Sequence, residues 1–306
     1  MNQFPAKNLF LLFVTAFIWG TAFVAQSVGM DHIGPFTFNA VRSLIGGIAL
    51  LPVILLFNRR KSPAQRQAER ANRKTLLLGG VCCGLALGVA SCLQQVGMQY
   101  TTVGKAGFIT ALYIVIVPIL GLFLHKKVGA KLWVSVVVAI LGLYLLCMSG
   151  SLRLAWGDFL VLLCALCFSV HIMVIDYFSP KVDGVAMSCI QFFVAAVFSA
   201  VCMLAVEGVP DPQAVVISWM PILYAGVLSS GVAYTLQIIG QKGVNPTMAS
   251  LVLSLESVIS VLAGWIILGQ SMSPREILGC VLMFGAIVLA QLPERKKNVR
   301  LNEKNA

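Results

Sequence analysis

Two charged residues lie inside long apolar stretches of the sequence, and they are the first candidates for chemistry. Glu256 stands within the stretch 244–269, and Arg42 stands in a second stretch that begins after Gly34-Pro35. A charged side chain within a hydrocarbon layer is costly, so such residues usually pair with each other or mark a pathway for ions or substrates. We therefore interpret both residues as candidates for binding charged groups.

Helix geometry predicts similar depths for these two side chains. Arg42 lies about 10 Å from one end of its stretch, and Glu256 lies about 16 Å from the opposite end of its own, at about 1.5 Å per residue. Across a hydrocarbon core of about 30 Å, the two backbones come within side-chain reach. The pattern predicts either a pair of opposite charges, or a site where Arg42 binds a carboxylate and Glu256 an amine. An ion pair that only fixes helix packing is the alternative.

Uncharged polar and aromatic side chains within the apolar stretches extend the candidate site. Trp19 and Tyr113 fall near the middle of their stretches, away from the interfaces where such rings usually anchor a helix. Gln94 and Gln237 could bind polar substrate groups, or could simply form a hydrogen bond between helices. The predicted substrate-binding residues are Trp19, Asn39, Arg42, Gln94, Tyr113, Tyr234, Gln237 and Glu256. His171 and Glu256 are candidates for a proton relay, although a lone histidine is more often a packing residue.

The composition identifies the environment in which these residues act. The chain has 306 residues, of which 59% are hydrophobic and 11% are charged, and its mean hydropathy is +0.92. Soluble domains contain about 25% charged residues, so the composition predicts a membrane protein surrounded by lipid. The net charge of +11 comes from short links between apolar stretches, which fits membrane topology better than nucleic-acid binding.

The nine cysteines all fall within apolar stretches, so we interpret them as packing residues without a disulfide framework. Cys164 and Cys167 have the spacing of a metal-binding pair. Since the sequence places no further cysteine close to them, packing is the favoured interpretation. We expect neither a metal nor a cofactor.

The elements that must position the candidate residues are helices. Lipid offers no hydrogen bonds to a peptide backbone, so an apolar stretch of about 20 residues is expected to cross it as a helix. The sequence predicts an all-α membrane protein with ten transmembrane helices, at 8–30, 36–57, 75–96, 103–124, 131–148, 158–178, 184–206, 219–240, 246–268 and 275–292.

The chain also repeats itself at an offset of 143 positions. Gly88, Gln94 and Gly97 recur as Gly231, Gln237 and Gly240, and the same register holds across three helices. We therefore predict two five-helix repeats, at 1–150 and 151–292, followed by a basic tail at 293–306. Because five is an odd number, the second repeat crosses the membrane in the opposite direction, as in transporters that work by alternating access.

Lysine and arginine predict the orientation of the chain. They are concentrated in alternate links, above all in 58–74, and in the tail. Loops rich in these residues usually stay in the cytoplasm. We expect a multi-pass protein of the cell membrane, the inner membrane in a bacterium, with both termini in the cytoplasm.

The sequence resembles the drug/metabolite transporter superfamily, specifically its ten-helix EamA-type members. Ile18-Trp19-Gly20-Thr21, Phe38-Asn39-Ala40-Val41-Arg42 and Leu253-Ser254-Leu255-Glu256-Ser257-Val258 match the weak motifs of that family. The family often ends its fourth and ninth helices with Leu-Gly-Glu, whereas this chain has His125-Lys126-Lys127 and Leu268-Gly269-Gln270 there. Any role of those acids is therefore absent.

The resemblance implies secondary active transport of a small metabolite, such as an amino acid or a drug-like compound, with export as the expected direction. It also implies a cavity between helices 1–4 and 6–9. The expected partners are a small-molecule substrate and the lipid bilayer, with a homodimer left open. A channel or facilitative pore is the main alternative, but no aligned set of polar residues is evident. An intramembrane enzyme is less favoured, because Glu256 and His171 are too few to form a catalytic cluster.

Overall fold

We describe the protein from a computed structural model, which covers residues 6–60, 62–101, 103–125, 128–147, 155–268 and 273–292. Within these ranges every regular element is a helix, and no β-strand occurs. The all-α expectation is therefore confirmed. The proposed boundary between the repeats at residues 150 and 151, and the tail at 293–306, lie outside the described residues.

The first part of the chain forms seven helices, and two of their features differ from expectation. A short helix forms within the polar link 58–74, and the expected helix at 103–124 consists of two helices that meet at Leu112. The seven helices are α1 (Ala6–Gly29), α2 (Pro35–Arg60), α3 (Pro63–Ala71), α4 (Arg73–Met98), α5 (Val103–Ala111), α6 (Tyr113–Phe123) and α7 (Ala130–Cys147).

The second part is also more divided than the sequence predicted. Its elements are α8 (Trp156–Phe178), α9 (Gly184–Val206), α10 (Pro212–Ile217), α11 (Trp219–Leu223), a π-helical segment (Tyr224–Tyr234), α12 (Thr235–Gln241), α13 (Pro246–Leu253), α14 (Leu255–Leu268) and α15 (Pro274–Gln291). The expected helix at 219–240 thus changes its hydrogen-bonding pattern twice, and the one at 246–268 is divided at Ser254.

Eight helical stretches in the described residues are long and apolar enough to cross a membrane. They comprise α1, α2, α4, the stretch Ala106–Phe123, α8, α9, the stretch Trp219–Gln241 and the stretch Pro246–Ala263. The shorter apolar stretch Ala130–Leu145 belongs to α7, which packs against α15. The sequence predicted ten crossings, two more than these eight stretches, and that total remains a prediction.

The outer surface of the helices is largely apolar, and many polar side chains are buried between them. Large apolar side chains such as Phe10, Phe123 and Ile266 are exposed on the outside of the helices, whereas polar ones such as Gln95 and Gln191 are buried between them. A protein in water would bury the apolar residues. The distribution is that of a helical bundle whose outer surface contacts lipid.

Glycines allow the central helices to approach each other closely. Gly80, Gly84 and Gly88 on α4 all face α9, and a Cβ atom at Gly84 would lie 2.7 Å from the carbonyl oxygen of Gln191. Glycines four residues apart thus form a close packing surface on α4. The α4 helix therefore packs closely against α9 along this surface.

The N-terminal end of α2, the helix that contains Arg42, is held from outside that helix. The carboxylate of Glu207, just after α9, accepts hydrogen bonds from the backbone N–H groups of Phe36 at 2.7 Å and Thr37 at 2.8 Å. The first N–H groups of a helix have no partner within it and favour a negative charge. Glu207 thus joins the end of α9 to the start of α2.

Candidate functional site

Two helices are interrupted at nearly equivalent positions of the sequence repeat, and both interruptions adjoin candidate residues. Leu112 separates α5 from α6, and Ser254 separates α13 from α14. At each joint the backbone stays close to helical but tightens, with Val115 N bonded to the carbonyl of Leu112 at 2.9 Å and Ser257 N to that of Ser254 at 3.2 Å. Interrupted helices at membrane depth commonly form substrate sites in transporters.

A partly open cavity lies between these helices, with about 460 Å³ of empty space when its opening to solvent is included. Its walls come from both parts of the chain and are aromatic, polar and charged. In the ranges that the structure describes, the lining contains no residue of α7, α9 or α15. The sequence led us to expect that the seventh predicted helix, now α9, would contribute. The lining residues are Trp19, Phe23, Gln26, Arg42, Gln94, Thr110, Tyr113, Phe168, Ile172, Ser229, Tyr234, Gln237, Leu253 and Glu256.

The carboxylate of this cavity is held by a tyrosine. The phenolic hydroxyl of Tyr113, the first residue of α6, donates a hydrogen bond to Oε1 of Glu256 at 2.9 Å. Glu256 is in the first turn of α14, where the helix dipole favours a negative charge, and it is 5% exposed. The side chain is therefore fixed in orientation at the edge of the cavity.

Arg42 also lines the cavity, but it does not pair with Glu256. Its Nη1 atom donates to Oε1 of Gln26 on α1 at 3.3 Å, and its guanidinium carbon lies 5.8 Å from the centre of the Phe38 ring. Its Nε atom has no hydrogen-bond partner among the described residues. The expected ion pair is therefore not formed, and the cavity holds two opposite charges that have separate partners.

The two repeat-related glutamines both line the cavity, in unlike surroundings. Nε2 of Gln94 donates to Oγ1 of Thr110 at 3.1 Å. Oε1 of Gln237 is buried and has no partner among the described residues. An unpaired buried acceptor is unfavourable unless a ligand or water donates to it. Gln237 is thus the glutamine better able to bind a donor in the cavity.

Aromatic rings form the remaining part of the wall. The ring centroids of Trp19 and Tyr234 are 4.5 Å apart, and Nε1 of Trp19 donates to the carbonyl oxygen of Ser229 at 3.3 Å. The residues Trp19, Phe23 and Gln26 recur at helical spacing, so α1 presents all three to the cavity. This face can pack against apolar or cationic parts of a ligand.

The π-helical segment breaks the symmetry between the two parts of the chain. Residues 224–234 are π-helical, whereas the equivalent residues 81–91 are within the α-helix α4, although Gly88-Val89-Ala90 matches Gly231-Val232-Ala233. The π-helical segment contributes Ser229 and Tyr234 to the cavity. Such segments are rare and occur frequently at functional sites.

Two of the residues selected from the sequence do not line the cavity. Asn39 is fully buried, and its amide donates to the carbonyl oxygen of Ser91 at 3.0 Å. His171 lies behind the wall, where Nε2 is 3.1 Å from Oε1 of Gln191 and the ring meets the edge of Tyr234 at 5.9 Å. Both contacts join helices, which is the packing role weighed for a lone histidine.

Several lining residues were missed by the sequence analysis. Gln26, Thr110 and Ser229 are polar and contact residues that had been selected, while Phe23, Phe168, Ile172 and Leu253 are apolar. Gln26 had a detectable signal, because it is an amide within an apolar stretch, seven residues after Trp19. The apolar residues had none, since nothing in their type or spacing separates them from lipid-facing neighbours.

The chemistry available in the cavity is that of charge and hydrogen bonding. Cys164 is fully buried within α8, and Cys167 on the same helix is partly buried. The described part of the chain has no group of three or more His, Cys, Asp or Glu side chains suited to a metal ion. Arg42, Glu256 and Gln237 are thus the groups that a polar ligand would meet.

A bundle of apolar helices around a buried, charged cavity is the architecture of a multi-pass membrane transport protein. The chain belongs to the EamA-like transporter family, whose model matches residues 6–148 and 155–292. The resemblance seen in the sequence is therefore confirmed. The protein is a membrane transporter, and membership of this family indicates a small-molecule substrate and a lipid surrounding.

Relatives with similar sequences are also transporters by name. An uncharacterized transporter of Archaeoglobus fulgidus is 29% identical over 286 residues, covering 92% of this chain and 84% of its own. The uncharacterized inner membrane transporter YedA of Escherichia coli is 23% identical over 92% of this chain and 89% of its own. The S-adenosylmethionine/S-adenosylhomocysteine transporter of Chlamydia muridarum is 23% identical over 90% of this chain and 91% of its own.

A solved crystal structure has the same overall fold. It superposes with a TM-score of 0.76 at 18% sequence identity, over 94% of this chain and 96% of the other. At this identity the likeness is evidence for the fold alone. The division of long helices into shorter ones therefore occurs within a fold that is known from experiment.

Proposed function

We propose that the protein is a secondary active transporter that moves a small zwitterionic or amphipathic metabolite by alternating access. The observation on which the proposal rests is that Arg42 and Glu256 line one buried cavity without pairing with each other. Two opposite charges that are both accessible from the cavity can bind the carboxylate and the amine of one substrate. Amino acids have both groups.

The relatives support this substrate class. One of them is named for S-adenosylmethionine and S-adenosylhomocysteine, and both of these compounds contain an amino acid group attached to a large aromatic one. The aromatic rings of Trp19 and Tyr234 offer a surface for an apolar or aromatic substituent. We propose an amino acid or a drug-like relative of one as the substrate, and export as the direction.

Alternating access is supported by the sequence repeat and by the helix joints. The family model matches the chain twice, at 6–148 and 155–292, which fits two repeats, each proposed to contain five crossings. We propose ten transmembrane helices, an inverted second repeat and both termini in the cytoplasm. Two halves related in this way can exchange conformations and so turn an inward-facing site outward. A homodimer is left open.

Reconstitution into liposomes tests the proposed function. Flux of a labelled amino acid should saturate, and it should accelerate when unlabelled substrate is present on the opposite side, because a carrier returns faster when it is loaded. A channel shows neither property. Flux that rises linearly with concentration, with no acceleration, would indicate a pore instead of a carrier. If the charge of Arg42 binds substrate, Arg42→Gln should abolish saturable flux.

Topology needs a separate test. Reporters fused after Lys304 or inserted in 60–72 should report the cytoplasm, and a tag near Arg153 should report the outside, since lysine and arginine are concentrated on the proposed cytoplasmic side. Lys304 and Arg153 lie outside the described residues. Termini on opposite sides of the membrane would exclude ten crossings and, with them, the inverted repeat.

A further inference from the structure

Within the described part of the chain, no carboxylate pairs with Arg42. Arg42 is 4% exposed, and its one hydrogen bond among the described contacts goes to the neutral amide of Gln26. Among the described residues, Glu256 is the only carboxylate in the cavity lining, and its hydrogen bond comes from Tyr113. A buried guanidinium without an opposite charge is unfavourable unless a ligand supplies one.

Gln26 is itself held in place. It is 5% exposed, it lines the cavity, and its backbone carbonyl accepts a hydrogen bond from Nε2 of Gln95 on α4 at 3.3 Å. The side-chain oxygen of Gln26 faces Arg42 as an acceptor. Glutamine and glutamate have almost the same shape, so a glutamate at this position would reach the guanidinium equally well and would neutralise it.

We propose that Gln26 is a specificity-determining residue, which positions Arg42 and, because it is neutral, leaves the guanidinium charge for an anionic group of the substrate. The inference rests on the proposed function, since it requires a substrate in this cavity. The proposed function assigns binding to Arg42 and Glu256, and the neutral side chain of Gln26 now has a role beside them. The carboxylate of the substrate supplies the negative charge that Arg42 lacks, while the amine of the substrate binds to Glu256.

The proposal predicts a reversal of selectivity. In Gln26→Glu the new carboxylate pairs with Arg42, and the substrate carboxylate meets a neutralised site. The variant should therefore bind an amino acid about 10- to 100-fold more weakly, because the substrate carboxylate loses its hydrogen bond to Arg42. A hydrogen bond to a charged group is worth about 1.5–3 kcal/mol. Binding of the matching amine, which lacks the carboxylate but keeps the group recognised by Glu256, should be unchanged or stronger.

Calorimetry on the purified protein measures this directly, with four pairs of ligands. The pairs are phenylalanine and phenethylamine, leucine and isoamylamine, methionine and 3-(methylthio)propylamine, and S-adenosylmethionine and its decarboxylated form. The wild type should bind the carboxylate-bearing member of a pair more tightly, and Gln26→Glu should prefer the amine. Binding rather than flux is measured, because amines also cross lipid unaided.

Two control variants separate the charge from other effects. Gln26→Met has a similar length but no acceptor, so it should weaken amino-acid binding by about 2- to 10-fold without reversing the preference. Gln94→Glu introduces the same charge into the same cavity beside Thr110, and should also leave the preference unreversed. A reversal in Gln94→Glu, or an unchanged preference in Gln26→Glu, would overturn the proposal.

If Gln26→Glu does not fold, Gln26→Asn replaces it. The shorter amide is neutral but withdrawn from the guanidinium, so it should weaken binding of the amino acid and not of the amine, and an unchanged ratio would overturn the proposal.

Failure of the proposed function is distinguishable, because it appears as the absence of saturable flux for every compound. Failure of the present inference appears as saturable flux or binding that the carboxylate and Gln26 do not affect.

Discussion

Tyr113 and Glu256 are joined by a hydrogen bond of 2.9 Å, and they are also separated by 143 residues, which is the offset of the sequence repeat. Each residue therefore occupies the position of the other in the opposite half of the chain. A contact between two equivalent positions is unchanged when the halves exchange conformations. We expect the Tyr113–Glu256 contact to persist through the transport cycle, while contacts between non-equivalent residues, such as Trp19 with Ser229, are remade.

The first prediction concerns the strength of this contact. Tyr113→Phe removes the donor and leaves Oε1 of Glu256 buried without that partner, so the free energy of unfolding in detergent should fall by about 1–3 kcal/mol. Tyr100→Phe is the control, because Tyr100 is exposed, and its effect should stay within about 0.5 kcal/mol. A double-mutant cycle with Glu256→Met, which has a similar length but no acceptor, isolates the pair. Additive effects in that cycle would show that the hydroxyl and the carboxylate do not interact.

The second prediction concerns Gly20, which brings α1 close to α14. A Cβ atom at Gly20 would lie 2.5 Å from Cβ of Ile259 and 2.7 Å from the carbonyl oxygen of Glu256. Gly20→Ala should therefore separate the helices beside the cavity, lowering stability by about 1–3 kcal/mol and reducing transport. Thermal unfolding and flux in liposomes measure the two effects.

Gly285→Ala is the matched control for Gly20→Ala. Gly285 has open space where a Cβ atom would be added, and alanine favours a helix over glycine by about 1 kcal/mol. This variant should be as stable as the wild type or more so. Equal effects of the two substitutions would mean that α1 and α14 are not in close contact.

The third prediction concerns access to the cavity from water. In a background without the nine native cysteines, Gln94→Cys and Gln237→Cys should react with a small water-soluble thiol reagent, and substrate should slow the reaction. Asn39→Cys should be inert, because Asn39 is fully buried and lies outside the cavity lining. Equal inertness of all three variants would assign the glutamines to helix packing.

The helices themselves could be predicted well from the sequence. Long apolar stretches such as that of α9, which was predicted with the bounds Gly184–Val206, allow only one structure in lipid. The joints at Leu112 and Ser254 could not be predicted, since both residues keep nearly helical backbone angles and neither is glycine or proline. The π-helical segment was also unpredictable, because its closest sequence match, at 81–91, is α-helical.

The site was predicted in part, for reasons that differ between residues. Charge selected Arg42 and Glu256, and the repeat selected Gln94 and Gln237; all four line the cavity, although their roles in binding remain predictions. Polarity alone selected Asn39, which is not among the described lining residues and whose amide donates a hydrogen bond from α2 to α4. The rotation of a helix about its own axis decides which of its residues face the cavity. When apolar residues lie on every side of a helix, the sequence does not reveal that rotation.

The partners of charged residues were the least predictable feature. The separation of Arg42 from Glu256 depends on Gln26 and Tyr113, which approach from α1 and α6. The offset of 143 already relates Tyr113 to Glu256 in the sequence, but equivalence by a repeat does not imply contact. Contact follows only where the two equivalent positions both lie at the interface between the halves.

Secondary active transport, the central claim, requires a group that binds and releases the coupling ion, and we propose Glu256 for this role as well as for binding the substrate amine. Glu256→Gln keeps the shape of the side chain and the acceptor for Tyr113, and it mimics the protonated form. Glu276→Gln is the control, because Glu276 belongs to the capping box of α15, where glutamine serves equally well. Both variants can be reconstituted in liposomes with and without an imposed proton gradient.

Uphill uptake and one-for-one exchange of labelled substrate, measured on the same liposomes, test this claim most directly. Glu256→Gln should lose uphill transport and keep exchange at saturating substrate, since it can change access but cannot bind and release a proton. Its affinity for the substrate should fall, because the amine loses its opposite charge. Glu276→Gln should keep both activities. Normal uphill transport by Glu256→Gln would contradict the account and make Glu256 incidental to coupling.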